Sequence, residues 1–153
     1  MRTARAAAMV TWVYAAAYGI PAVPVSIYLL QRGRLPSFRD LFDMYGGPWW
    51  FRLQLEHGTF VLLLMAFFGV TLLAAAGAWL LWNGSRAGAL LCLVLLPVEA
   101  VFWYGFALPI PWLMGTARAV LIAVVWQFPG RARPGSLPEL DVHRYGGGGR
   151  SNA

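Results

Sequence analysis

Glu99 and Arg118 are the residues in this chain best placed to do chemistry, because each stands alone inside a long apolar run. A charge at the centre of a membrane helix costs roughly 2.5–3.5 kcal/mol on insertion scales. A residue kept at that cost needs a partner or a task. A carboxylate and a guanidinium can partner each other through two parallel hydrogen bonds. Their spacing brings them level. A tight turn at Leu108-Pro109 joins the two runs, with Glu99 nine residues before Leu108 and Arg118 nine after Pro109. At about 1.5 Å per residue, both sit roughly 14 Å from the turn, near the midplane of a bilayer.

Two roles are open to such a pair. It is an intramembrane ion pair that fixes helix register, or Glu99 is a proton or cation acceptor whose affinity Arg118 tunes. The second role needs relay groups, and Thr71, Tyr104 and Thr116 are the few polar side chains nearby. Gly115 lies one turn before Arg118 and would let two backbones approach. Pro97 leaves the Leu93 carbonyl without its amide donor, which predicts a polar recess beside Glu99.

Glu56-His57 is a second candidate, a polar site at the opening of another apolar run. An acid beside an imidazole could move a proton or hold a metal. A metal site normally takes three or four ligands, however, and an acid at a helix start suits the helix dipole on its own. No metal or cofactor is expected. His143 falls in the C-terminal segment, so the chain cannot furnish two histidines for a haem inside a bundle. The single Cys92 excludes a dithiol relay and reads as a small core residue. No phosphate loop, nucleophile elbow or zinc-protease motif occurs, and no catalytic residue is assigned. The basic charge is dispersed, which argues against nucleic acid as a partner.

These residues must be positioned by membrane helices. The chain of 153 residues is 59% hydrophobic and 12% charged, a balance that a soluble domain this small could not bury. Four stretches, about 6–30, 59–82, 87–107 and 110–128, hold only Glu99 and Arg118 among the 18 charged side chains. Each is about long enough to cross roughly 30 Å of hydrocarbon as a helix. The expected fold is an all-α integral membrane protein, a bundle of four transmembrane helices over residues 1–128. The first run is too long for a signal h-region. Pro21 and Pro24 are expected to kink it.

The loop 31–58 contains Phe38, Leu41, Phe42 and Tyr45 at helical spacing after Ser37. They predict one short interfacial helix capped by Ser37, broken by Gly46-Gly47-Pro48. Trp49, Trp50 and Phe51 then read as an interfacial anchor, or as a lid over an opening between helices. Trp103 and Trp112 read as belonging to the same interface, and Trp79, Trp82 and Trp126 to the opposite one. Residues 129–153, rich in Pro and Gly, read as a flexible tail.

Six arginines flank the spans on the side of the termini and four on the side of the 31–58 loop. The positive-inside rule then sets both termini in the cytoplasm. Arginine as the sole basic type, with abundant alanine and glycine, suggests a bacterial inner-membrane protein. Runs of small residues, Ala6 to Ala8, Ala15 to Ala17 with Gly19, and Ala74 to Ala78, suit close packing within the chain, with homo-oligomer contacts as an alternative.

The layout is similar to that of small multidrug transporters, which also combine four helices with one buried glutamate. Here the acid stands in the third run instead of the first, and an arginine accompanies it, so no residue role transfers. The leading functional reading is a small non-enzymatic membrane protein that packs with partner membrane proteins or holds lipophilic molecules in the lipid bilayer. A proton-coupled small-molecule transporter using Glu99 is the alternative. A lipid-modifying enzyme is a third, and it requires a cleft joining His57 to Tyr45 or Arg52.

Overall fold

The computed structural model describes residues 2–38 and 42–127, so the expected tail at 129–153 lies outside the described residues. The described chain is helical apart from one short pairing. Helix α1 (Arg2–Tyr14) passes through a wider π turn (Ala15–Gly19) into α2 (Ile20–Arg32). After the loop come α4 (His57–Trp82), α5 (Arg86–Gly105) and α6 (Pro109–Gln127). Three of these rods, Arg2–Arg32, His57–Trp82 and Arg86–Gly105, are long and apolar enough to cross a membrane. Their outward faces stay apolar, with Ile27, Leu62, Leu72, Val94 and Val101 all exposed. Such a surface suits lipid and would be a liability in water.

The π turn ends just before Pro21, whose missing N–H frees a carbonyl in that turn. The distortion expected at the prolines therefore sits one turn earlier, and Pro24 is carried inside α2. Gly33 ends α2 in the left-handed conformation, φ 63°, and its amide donates to the Leu29 carbonyl at 2.8 Å. Pro48 and Pro109 each open a helix, where an absent amide costs nothing.

The rods close into a ring: α4 lies between the first rod and α5, while α6 packs chiefly against α1 and completes the ring at α5. The two ends of the ring pack differently. Near the termini and the Asn83–Ser85 turn, Ala4, Ala7, Ala89, Cys92 and Ile122 fill the interior. Any Cβ on Gly88 would strike the Gly77 carbonyl and the Leu81 amide, so α4 and α5 touch there almost backbone to backbone. At the loop end the filling is aromatic. Phe106 is met by Tyr45, Trp49, Phe60 and Phe67 at centroid distances of 5.4, 5.1, 5.5 and 5.7 Å, all edge-on or nearly so. Pairs of this geometry contribute about 0.5–1.5 kcal/mol each beyond their buried area.

The 31–58 loop departs from expectation. Among the described residues the interfacial helix predicted from Ser37 to Tyr45 does not occur; instead β1 (Ser37–Phe38) pairs antiparallel with β2 (Phe42–Asp43). Ser37 therefore caps no helix. Tyr45 turns inward instead of lying on a surface face, because its ring fits against Phe67 and Phe106 and its hydroxyl donates to the Tyr18 carbonyl in the π turn. Burial, with a smaller contribution from Tyr18, pushes the Tyr45 phenol above its ordinary range and keeps it a donor. The one short helix of the loop is α3 (Pro48–Phe51), started by the Gly47-Pro48 step that was expected to end a helix. Trp49 and Trp50 are half-buried and pack on Phe102, Phe106 and Phe60, while Phe51 alone is exposed. Gly47 and Gly105 make this docking possible: a Cβ on the first would meet the α5 end backbone, and on the second the Trp49 ring.

Gly105→Ala is accordingly expected to lower stability by about 1–3 kcal/mol through overpacking. Gly69→Ala, which meets nothing within 4 Å in mid-helix, is expected to be neutral or stabilising by up to about 1 kcal/mol. Thermal unfolding in one detergent, followed by tryptophan fluorescence, checks both.

Candidate functional site

The α5–α6 hairpin does bring Glu99 and Arg118 together. Glu99 is 0% exposed and Arg118 1%. The Arg118 Nη2 donates to Glu99 Oε2 and the Nη1 donates to Oε1 at 3.3 Å, a two-pronged ion pair. Level placement follows from the equal spacing around the turn. Facing follows from the helical period, which sets Leu95, Glu99, Phe102 and Trp103 on the buried side of α5.

Tyr14 and Trp103 complete the centre; the helical period sets Trp103 on the face of Glu99, while the spacing did not flag Tyr14. Tyr14 of α1 places its ring 5.9 Å from the Arg118 guanidinium carbon, and its hydroxyl accepts from Trp103 Nε1 at 2.8 Å. The Trp103 ring stands edge-on to Tyr14, with centroids 5.9 Å apart. Trp103 is thus a buried organiser of the pair and not the interfacial ring expected from its place in the sequence. Gly115 leaves the room it fills: a Cβ there would collide with the Trp103 ring. The available signal was Tyr14 itself. A phenol in mid-span must find a polar partner when buried, but nothing in a single sequence states which helix provides it.

The space beside the pair is narrow. It is bounded by Val10, Thr11, Tyr14, Trp103, Met114, Gly115 and Arg118, and it has no room for a water molecule. Arg118 Nε faces no acceptor there. The recess predicted at Pro97 does not form beside Glu99. Pro97 is exposed, and two residues further along a helix points roughly the opposite way, so the freed carbonyl and the carboxylate lie on different faces. The suggested relay groups are elsewhere too. Tyr104 and Thr116 are exposed, with the Thr116 hydroxyl donating to the Trp112 carbonyl at 2.8 Å. Thr71 is buried but donates to the Phe68 carbonyl at 2.8 Å and packs on Gly19.

Glu56 and His57 sit at the loop end, both exposed, at the start of α4. His57 leans on Trp50 at 5.7 Å. The open recess there is lined by Trp50, Gln54, Leu55, Glu56, His57 and Gly58, and it reaches neither Tyr45 nor Arg52. Among the described residues no group of three or more His, Cys, Asp or Glu side chains could hold a metal ion. Cys92 is a free, buried thiol against Gly77, on the small-residue side of the core.

No protein-family model, curated protein or solved structure matches this chain.

Removing either partner would leave the other charge buried and alone. Glu99→Leu and Arg118→Leu are each expected to destabilise by about 3–5 kcal/mol, whereas the double substitution recovers a large part of the loss. Denaturant unfolding of the four proteins in one detergent closes the cycle. Additive losses would mean that the two side chains do not act as a pair.

Proposed function

We propose that this chain is a small non-enzymatic membrane bundle whose four helices all cross the lipid bilayer, and that it meets lipid and partner membrane proteins through its outer surface. The supporting observation is the closed interior around Glu99 and Arg118. A bundle that stored a lipophilic molecule between its helices would need a cavity where Trp103 and Tyr14 stand. Under this reading the ion pair is a register device: it makes one alignment of α5 against α6 far better than its neighbours. The helix Pro109–Gln127 is the shortest of the four at 19 residues, or about 28 Å of rise, enough for a thin bilayer.

The bacterial inner membrane, with the termini and the Asn83–Ser85 turn in the cytoplasm, is the setting that the arginine distribution favours. Proton-coupled transport through Glu99 draws on the same buried acid. It requires an opening to that carboxylate, whereas the space beside Arg118, bounded by Tyr14, Trp103 and Met114, is too narrow for a water molecule.

Two measurements test the proposal. Proteoliposomes holding the protein and a pH-sensitive dye are expected to leak protons across an imposed gradient no faster than protein-free vesicles, with Glu99→Gln unchanged. A flux that Glu99→Gln abolishes would replace the proposal by the transport reading. For orientation, a membrane-impermeant maleimide added to bacterial cells with a permeabilised outer membrane is expected to label Gln54→Cys and to spare Asn83→Cys. The reverse pattern would invert the topology.

A further inference from the structure

The loop end carries a second recess, of about 500 Å³, between the end of α2 and the β1–β2 pairing. Tyr28, Arg34, Leu35, Ser37, Asp43 and Trp50 line it. Arg34 and Asp43 carry opposite charges into one space, yet they form no ion pair; among the described residues Glu99–Arg118 is the one such contact. The walls are held firmly. Leu35 is 4% exposed, Tyr45 beyond β2 is anchored on the Tyr18 carbonyl, and Trp50 packs edge-on against Phe60 at 5.1 Å. The left-handed Gly33 turns the chain out of the α2 axis just before Arg34. Two opposite charges that share one recess without pairing with each other suit one ligand that carries both signs.

The hydroxyls narrow the chemistry. Tyr28 and Ser37 line the same recess as Arg34, and hydroxyl and guanidinium donors together suit phosphate oxygens. Asp43 and the face of Trp50 suit an ammonium. The recess opens where the first rod ends at Arg32, which in a bilayer is the level of the head groups. Below Tyr28, the exposed Ile20, Pro24 and Ile27 follow one another at helical spacing down the lipid-facing side of α2. That track is where an acyl chain would lie.

We infer that this recess binds the head group of an aminophospholipid, with phosphate on Arg34 and ammonium on Asp43. The inference rests on the membrane reading above and is independent of whether Glu99 conducts protons. The shared chemistry is a phosphoethanolamine zwitterion, and the acyl track assigns it to the bilayer instead of a soluble ester.

The test is native mass spectrometry of the full chain, extracted from membranes and offered phosphatidylethanolamine or phosphatidylglycerol. The wild type is expected to retain the ethanolamine lipid about tenfold better, the scale of one partly desolvated charge contact. Asp43→Asn should abolish that preference, and Arg34→Gln should weaken retention of both lipids. Equal retention by the wild type, or an intact preference in Asp43→Asn, overturns the inference. Because the lipid comparison is made first on the wild type, a variant that fails to fold does not remove the test. Soluble glycerophosphoethanolamine displacing the lipid at equal concentration would overturn the bilayer as the source. Protein that resists alkaline extraction from membranes but shows no lipid preference fails this inference alone; protein released by alkali fails the membrane reading itself.

Discussion

The ion pair between Glu99 and Arg118 is the constraint around which the helices are arranged. Two charges at full burial are tolerable only in contact, since each alone would carry an uncompensated desolvation cost of several kcal/mol. Contact requires equal depth, and equal depth follows from the symmetric spacing about the Leu108-Pro109 turn. It also requires that the two faces meet without a gap. Trp103 meets that need by filling the space that Gly115 leaves, and Tyr14 then closes the third side with its ring on the guanidinium and its hydroxyl on the indole N–H. A slip of one residue in α6 would turn Arg118 by about 100° and strand both charges. The pair therefore discriminates between alignments far more strongly than the surrounding leucines and valines, which tolerate sliding.

Helices in lipid gain little from burying apolar surface against one another, because the lipid is equally apolar. Their association must come from contact density and from polar groups satisfied inside. The two ends of this bundle reach contact density by opposite means. At one end Gly77, Gly88 and the alanines remove side chains until the backbones touch. At the other, Phe60 and Phe67 meet Phe106 edge-on, Phe102 stacks on it, and the loop contributes Tyr45, Trp49 and Trp50 to the same cluster. The loop is consequently part of the core. Its path is set by where those three rings fit.

That difference explains what was legible in the sequence. The four apolar runs mark the helices to within a few residues of the observed bounds, because the charged and turn-forming residues that interrupt them also end the helices. The α5–α6 depth match was readable because both distances are counted along the chain from one turn. The loop was not, because Phe38, Phe42 and Tyr45 fit helical spacing while Tyr45 answers to partners on three other elements: Phe67, Phe106 and the Tyr18 carbonyl. Trp103 carries two signals, since the helical period sets it on the face of Glu99 while it also lies near a span end. Position near a span end suggests an interface, but the hole opposite Gly115 and the Tyr14 oxygen attract the ring inward. Pro97 shows the limit from another side: the freed carbonyl was foreseeable, and its direction could have been worked out from the helical period.

The distribution of paired and unpaired charge separates interior from surface. Deep in the bundle the carboxylate accepts from both Nη groups of the guanidinium, Arg118 Nε is left without an acceptor, and the Tyr14 and Trp103 rings pack around the pair. An alternating-access site would instead need groups able to part at low cost, with space for water to take over their hydrogen bonds. At the loop end the logic reverses: Arg34 and Asp43 line one recess, share it with the hydroxyls of Tyr28 and Ser37, and do not pair with each other. At head-group depth water can solvate both charges, so keeping them separate costs little, and a zwitterion that replaces that water finds its partners already placed. Recognition at the rim and cohesion at the centre thus follow from one quantity, the local cost of leaving a charge without a partner.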